Sequence, residues 1–442
     1  MVSIDTIYAL SSGGLPSGVA VIRLSGEQSR SVVKSIIGSV PPLRKAVLKD
    51  LSNPFDKIVI DRGLVLWFEG PNSFTGEDCV EFHLHGGRAV VSAFLELLSK
   101  FDNCRLAEQG EFSKRAFENG KFDLTEIEGL SDLLAAETEQ QRIQAVNLSS
   151  GKLRKQLEEW RSIIVKSRAL IEAELDFSDE EDVPGSVSDQ VWSSISTLSK
   201  EISLFLDDNN RGEIIRDGFR VVLMGAPNSG KSSLLNAFAK RDVAIVSDEA
   251  GTTRDMIEVS LNISGFNVII TDTAGIRETQ SKVELEGIRR ANVAGSNANL
   301  IYWLSPMNED LLEPELEFVS NVDCVVVNTK SDTYSDFVPA NGSLVCNTIL
   351  PDGIDRVIFH LTNYIGKNLI STDNSLLTRE RHRLELLSCV SALDKSISMV
   401  DFDITLRAEE LRLASEHIGR ITGRIDVEEL LDVIFSEFCV GK

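Results

Sequence analysis

The stretch Gly225-Ala226-Pro227-Asn228-Ser229-Gly230-Lys231-Ser232 decides how the chain is read. It has the spacing G-x-x-x-x-G-K-S, follows the apolar run Val221–Met224 and precedes the helical stretch Ser233-Leu234-Leu235-Asn236-Ala237-Phe238. A strand, a glycine-rich turn and a helix in that order make a phosphate cradle. The glycines let backbone N–H groups turn inward, and the helix N-terminus adds partial positive charge. Lys231 is then the expected cation for the β- and γ-phosphates, and Ser232 the expected Mg²⁺ ligand. Ser229, Gly230 and Ser233 are expected beside them against the phosphates.

Two further segments follow in the order this chemistry requires. Gly251-Thr252-Thr253-Arg254-Asp255 offers the Thr253 hydroxyl to the metal. Asp272-Thr273-Ala274-Gly275 follows the β-type run Phe266–Ile270 as D-x-x-G. There Asp272 reaches the metal through water and the Gly275 N–H senses a γ-phosphate. Base choice comes from Thr329-Lys330-Ser331-Asp332, after the apolar run Val325–Val327. This is close to N-K-x-D, in which the aspartate accepts hydrogen bonds from guanine N1–H and the 2-amino group. Adenine lacks that donor pair, so Asp332 selects guanine. Thr329 in place of asparagine removes one amide contact. Cys346-Asn347-Thr348 lies where a further base-binding loop belongs. The expectation is an α/β P-loop (Ras-like) domain over 213–370 that binds and hydrolyses GTP.

Working outward, residues 1–118 read as α/β, with β-type runs at Val19–Leu24, Leu64–Phe68 and Val80–Leu84 and a helical pattern from Arg88 to Leu98. Val80, Phe82 and Leu84 alternate with Glu81, His83 and His85, as in a half-buried strand. Gly86 and Gly87 are expected to open the helix. From about Phe122 the pattern becomes helical: Leu124, Ile127, Leu130 and Leu134 recur at helical spacing, and a second helix is expected from about Gly151 to Leu175. Helical stripes return after Thr372, one through Leu386, Val390, Leu393 and Ile397, another through Val427, Leu430, Leu431, Ile434, Phe435 and Phe438. Asp426 and Glu429 are placed as a capping pair for the latter. The two helical segments, 119–212 and 371–442, are expected to pack as one all-α domain into which the G domain is inserted.

Composition bounds the function. With 442 residues, 42% apolar and 26% charged, the chain predicts a soluble protein of two or three domains. No apolar stretch approaches the roughly 18 residues of a membrane span, and no basic secretory segment opens the chain. Six scattered cysteines predict free thiols in a reducing, cytoplasmic setting. A net charge of −23 gives no bulk support for nucleic-acid binding and speaks against DNA. An RNA contact needs local basic surface or a partner. The acidic stretch Asp176–Asp182 reads as a solvated loop rather than a metal site.

The loop G-x-P-N-x-G-K-S, the GTTRD segment and the ending Phe438-Cys439-Val440-Gly441-Lys442 together resemble the MnmE (TrmE) family of tRNA modification GTPases, within the TrmE-Era-EngA-like GTPases. Gly76-Glu77-Asp78, His85-Gly86-Gly87, Gly110-Glu111-Phe112, Arg115-Ala116-Phe117, Asn119-Gly120-Lys121 and Ile421-Thr422-Gly423 support the likeness. Valine stands at 440 where isoleucine is usual. The resemblance implies a folate-binding N-terminal domain over 1–118 and a homodimer formed through it. It implies an FAD-bearing partner, MnmG (GidA), in a heterotetramer. With that partner, an aminomethyl or carboxymethylaminomethyl group would be added to C5 of the wobble uridine, position 34, of certain tRNAs. The one-carbon donor would be 5,10-methylene-tetrahydrofolate, with 5-formyl-tetrahydrofolate as a second folate ligand for the site.

By the same resemblance, Asn228 with Ser247, Glu249 and Thr252 would hold K⁺, which offsets charge developing during phosphoryl transfer. Glu284 would orient the attacking water, making Glu284, Lys231 and Asp272 the catalytic set. Thr273, Ala274, Thr329 and Lys330 complete the nucleotide contacts. Arg23, Glu81, Lys121 and Lys442 would meet folate: a carboxylate suits the amino-pyrimidinone edge of a pterin, and Arg or Lys its glutamate tail. His83 and His85 read as strand-face residues. Cys439 reads as a packing residue, with a nucleophile as the alternative. The competing reading of the whole is an Era-like RNA-binding or ribosome-assembly GTPase switch. Such switches carry a basic RNA module after the G domain, where this chain has helices. A folate-binding module with a vestigial G domain is opposed by Lys231, Ser232, Thr253 and Asp272.

Overall fold

The computed structural model describes residues 5–176, 187–207, 210–241, 244–245, 257–272, 295, 297–307, 322–332, 343–350, 352–369, 375–400, 404–425, 431, 434–436, 438 and 441. They form two compact units, one of 1–131, 148–196 and 391–442, the other of 132–147 and 197–390.

The first unit is built on a six-stranded sheet of β1 (Thr6–Leu10), β2 (Ser17–Ser25), β3 (Val47–Ser52), β4 (Val59–Phe68), β5 (Cys79–Gly86) and β6 (Cys104–Leu106). Their order across the sheet is β3-β4-β5-β2-β1-β6. Alternation decides which side is covered. Ile22, Leu24, Val80, Phe82 and Leu84 are buried with Val32, Val33 and Ile36 of the helix Ser29–Ile37 and with Val91, Phe94 and Leu97 of the helix Arg88–Leu98. Arg23, Glu81 and His83 therefore fall on the opposite face. Gly86 departs from the sequence expectation. It ends β5 as the register partner of Ser17, and a Cβ there would lie 2.4 Å from the Ser17 carbonyl oxygen, so Gly87 alone precedes the helix.

Helical segments complete this unit. Leu124 and Ile127 are buried with Ile434, Phe435 and Phe438, which joins the start of the first helical segment to the end of the second. Leu134, which belongs to the second unit, falls off the expected stripe and is 46% exposed. The long helix is Lys152–Asp176, and it packs on the helix Ile404–Thr422. Asp426, Glu429 and the acidic residues 177–182 lie outside the described residues.

The second unit carries a six-stranded sheet of β7 (Phe219–Gly225), β8 (Ile257–Ile263), β9 (Phe266–Asp272), β10 (Leu300–Pro306), β11 (Asp323–Thr329) and β12 (Leu344–Val345). The order is β12-β11-β10-β7-β9-β8, parallel throughout except for β8, which pairs antiparallel with β9. Leu234, Leu235 and Phe238 of the helix Lys231–Ala239 and Val357, Leu361 and Ile365 of the helix Asp355–Leu369 share one core with Val221, Leu223, Ile270, Leu304 and Val327 of the strands. Val222, Met224 and Ile301 are buried together in a separate cluster with Ala298. This is a Ras-like α/β domain. Its order reverses beside β7, and in such sheets ligands bind where the strands end at that switch point.

Candidate nucleotide site

Four segments reach the carboxyl edge of the second sheet together. The loop 225–230 leaves β7, Asp272 ends β9, Thr329 ends β11, and Cys346 follows β12. The loop has the geometry of a cradle. Gly225 has φ +141°, and a Cβ there would lie 2.3 Å from the Leu304 carbonyl oxygen, so no other residue fits this turn. Asn228 and Gly230 are also left-handed, at φ 62° and 99°. The helix Lys231–Ala239 starts with no side-chain cap. Its first-turn N–H groups, those of Lys231, Ser232 and Ser233, have no intrahelical acceptor and form the donor set an anion requires.

The side chains converge on the same point. Lys231 is 6% exposed, and its ammonium donates to the carbonyls of Gly225 at 2.8 Å and Ala226 at 2.9 Å. Burial pulls its pKa below the ordinary lysine value, and the Asp272 carboxylate opposes that shift. The Ser232 hydroxyl donates to Asp272 Oδ2 at 2.6 Å, which places the two expected metal-site oxygens in contact. A Mg²⁺ ion fits this pair of hard oxygen donors beside a phosphate cradle. Thr329 Oγ1 donates to the Ser229 carbonyl at 2.6 Å and ties the base-side loop to the phosphate loop. Ser331 Oγ donates to the Cys346 carbonyl at 3.2 Å, so Cys346 abuts that loop. Lys330 and Asp332 are exposed at its rim. Ser229 Oγ is buried without a hydrogen-bond partner.

Ser247, Glu249, Thr252, Thr253, Thr273, Ala274, Gly275 and Glu284 lie outside the described residues, as do Cys439 and Lys442. The first sheet brings two of the remaining expected residues together. Arg23 and Glu81 are register partners on β2 and β5, and the guanidinium bonds the carboxylate at 3.0 Å. Arg23 also lies over the rings of Phe74 and Phe112, at 5.0 and 5.7 Å from their centroids. The sequence reading passed over both phenylalanines, although Phe112 closes the quoted Gly110-Glu111-Phe112. His83 Nε2 stands 3.6 Å from Glu81 Oε2 and is buried without a hydrogen bond. Lys121 donates to the Pro71 carbonyl at 2.8 Å. Gly441 is held at the same sheet, where its carbonyl accepts the Ser11 hydroxyl at 2.8 Å.

Comparison with known proteins decides the family. The MnmE helical domain model matches residues 124–439, and the model of the GTP-binding protein TrmE N-terminus matches 6–121. The tRNA modification GTPase MnmE of Rhizobium etli is 51% identical over 444 residues, covering 99% of both chains. That of Brucella anthropi is 49% identical over 438 residues, covering 99% of this chain and 98% of the other. The chain belongs to the MnmE family of tRNA modification GTPases. Among solved structures, Aquifex aeolicus Era bound to GDP and aluminium fluoride aligns with a TM-score of 0.26 at 22% identity, over 39% of this chain and 66% of that one.

The short motifs of the N-terminal MnmE segment have a structural explanation here. Arg115, 3% exposed, donates to Asp5 Oδ1 at 2.9 Å, Glu111 Oε1 at 3.0 Å and Glu77 Oε1 at 3.2 Å. Glu77 Oε2 accepts the Ser25 hydroxyl at 2.6 Å, and Asn119 donates to the Thr75 carbonyl at 2.8 Å. Burial alone would raise the Glu111 carboxyl, but hydrogen bonds from Arg105, the Glu108 N–H and Arg115 carry it below the usual range. Glu77 of Gly76-Glu77-Asp78, Glu111 of Gly110-Glu111-Phe112 and Arg115 of Arg115-Ala116-Phe117 thus meet Asp5 in one ionic network centred on the buried Arg115. It fixes the loop that carries Phe74 and Lys121's acceptor.

Proposed function

We propose that this chain hydrolyses GTP to drive C5 aminomethyl or carboxymethylaminomethyl modification of the wobble uridine of certain tRNAs. The observation that carries the GTPase reading is the contact of Ser232 with Asp272 beside the buried Lys231, at the carboxyl edge of a Ras-like sheet. The Gly225-to-Lys231 turn binds and orients phosphates, and Ser232 with Thr253 holds Mg²⁺, which neutralises phosphate charge when bound. Asn228, Ser247, Glu249 and Thr252 hold K⁺, and Glu284 orients the attacking water. Asp332 and Lys330 select the base.

The first unit serves as the one-carbon site. Arg23, Glu81, Lys121 and Lys442 take a 5,10-methylene- or 5-formyl-tetrahydrofolate, with the half-buried Phe74 as an apolar wall beside the Arg23–Glu81 pair. The outer strands β3 and β4 expose Leu48, Val59 and Leu64, an apolar surface that suits homodimer formation through this domain. The FAD-bearing MnmG completes the enzyme, and the work is done in the cytoplasm. No described helix is long and apolar enough to cross a membrane. The test is mass spectrometry of wobble nucleosides from cells lacking this chain. The C5-modified uridines should disappear and return with the native gene; unchanged modification would overturn the reading.

A further inference from the structure

Thr329 stands where N-K-x-D has an asparagine, and the two side chains differ in what they can donate. A threonine carries one hydroxyl proton; an asparagine carries two amide protons. The asparagine can hold a phosphate-loop carbonyl and still donate to the base. In this chain the single proton is committed. Thr329 is 2% exposed and its Oγ1 lies 2.6 Å from the Ser229 carbonyl. The remainder of the side chain faces the same loop: a Cβ built on Gly230 would lie 3.6 Å from Thr329 Cβ and 3.7 Å from its methyl. The neighbouring Ser331 hydroxyl is given to the Cys346 carbonyl. Asp332 is taken up in accepting from N1–H and the 2-amino group.

We propose that this chain reads guanine through its Watson–Crick edge and leaves N7, the acceptor of the imidazole edge, unread, so that 7-deazaguanine nucleotides bind as well as guanine nucleotides. Thr329 is a positioning residue: it anchors the base-side loop to the phosphate loop and makes no bond to the base. The inference rests on the guanine-nucleotide reading above and adds a specificity to it.

The experiment measures Kd for GDP, 7-deaza-GDP and IDP with the full chain in one buffer. GDP and 7-deaza-GDP should agree within about twofold, while IDP, lacking the 2-amino group, binds about tenfold or more weakly. Thr329→Asn supplies the missing donor and should prefer GDP over 7-deaza-GDP by about two- to twelvefold, the range of one neutral hydrogen bond. Thr329→Val should weaken both ligands equally and leave their ratio at one, and Thr329→Ser should restore them. A native chain that disfavours 7-deaza-GDP by about fivefold or more, or a Thr329→Asn variant whose ratio matches the native one, overturns the proposal. Should Thr329→Asn fail to fold, the native comparison alone decides. Failure to bind any of the three nucleotides is a different result and removes the guanine reading itself.

Discussion

Arg115→Met removes a guanidinium that is 3% exposed and shared by three carboxylates. Taking one partner from a buried ion pair costs about 3–5 kcal/mol, because the remaining charge stays in a low-dielectric site uncompensated. The surroundings set where in that range the loss falls. Arg105 donates to Glu111 Oε2 at 2.8 Å and also pairs with Asp5, so two of the three carboxylates keep a cation. Glu77 keeps the Ser25 hydroxyl at 2.6 Å and loses its cation. The expected loss is therefore about 3 kcal/mol. Arg115→Met combined with Glu77→Gln removes the stranded charge and should return about 1–2 kcal/mol. The readout is amide hydrogen exchange of peptides covering 5–10 and 104–118 in the full chain, where 3 kcal/mol is on the order of a hundredfold in the opening equilibrium. Exchange within about threefold of native, or a double variant that opens as readily as the single one, would refute the assignment of these motif residues to a buried network.

Two further outcomes are expected. Burial pushes the Asp123 carboxyl up to about 6 despite hydrogen bonds from the Glu126 N–H and the Thr125 hydroxyl, and its Oδ2 has no partner. The folded protein then holds a proton that the unfolded chain releases near 3.8, so stability falls as pH rises between those values, by about 3 kcal/mol in all. Asp123→Asn keeps the capping acceptor and should flatten the melting profile over that window; an unchanged slope counts against this origin. Separately, GTP turnover should be strongly faster in KCl than in NaCl, and Glu284→Ala should keep GTP binding while losing turnover by about a hundredfold or more. Equal rates in the two salts would remove the potassium site, and near-native turnover in the variant would remove Glu284.

The nucleotide half of the molecule was legible because its chemistry is local. A cradle needs a strand, glycines at fixed offsets and a helix start, and all of these are adjacent in sequence, so Val221–Met224 and Gly225–Ser232 could be placed before any packing was known. The core strands were legible for a similar reason, since Val80, Phe82 and Leu84 alternate as one covered face requires. What escaped is non-local. Glu77, Glu111 and Arg115 read as family words because nothing along the chain shows that they meet Asp5, which is 110 residues away from Arg115. Phe74 and Phe112 gained a role only when the fold put the Arg23 guanidinium over both rings. Gly86 was misplaced by one element because its close approach to Ser17 is a cross-strand fact. Leu134 fitted the helical period, but the period fixes a face without saying where its cover ends.

Thr329 shows why a departure from a motif has to be read for what it keeps as well as for what it drops. From sequence, the change from asparagine subtracts an amide contact and, with it, some of the binding. Two tasks are separable at this position: fastening the base-side loop to the phosphate loop, which Thr329 performs, and donating to the base, for which only an asparagine has a proton to spare. The hydroxyl at 2.6 Å from the Ser229 carbonyl retains the first task in full. The fastening joins the segment that carries Asp332 to the loop that carries Lys231. Losing it would loosen both ends of the nucleotide together, whereas losing a single base contact shifts only the discrimination among bases. An asparagine at 329 would add one base contact, about two- to twelvefold in the affinity for GDP over its 7-deaza form, and would leave the fastening as it is.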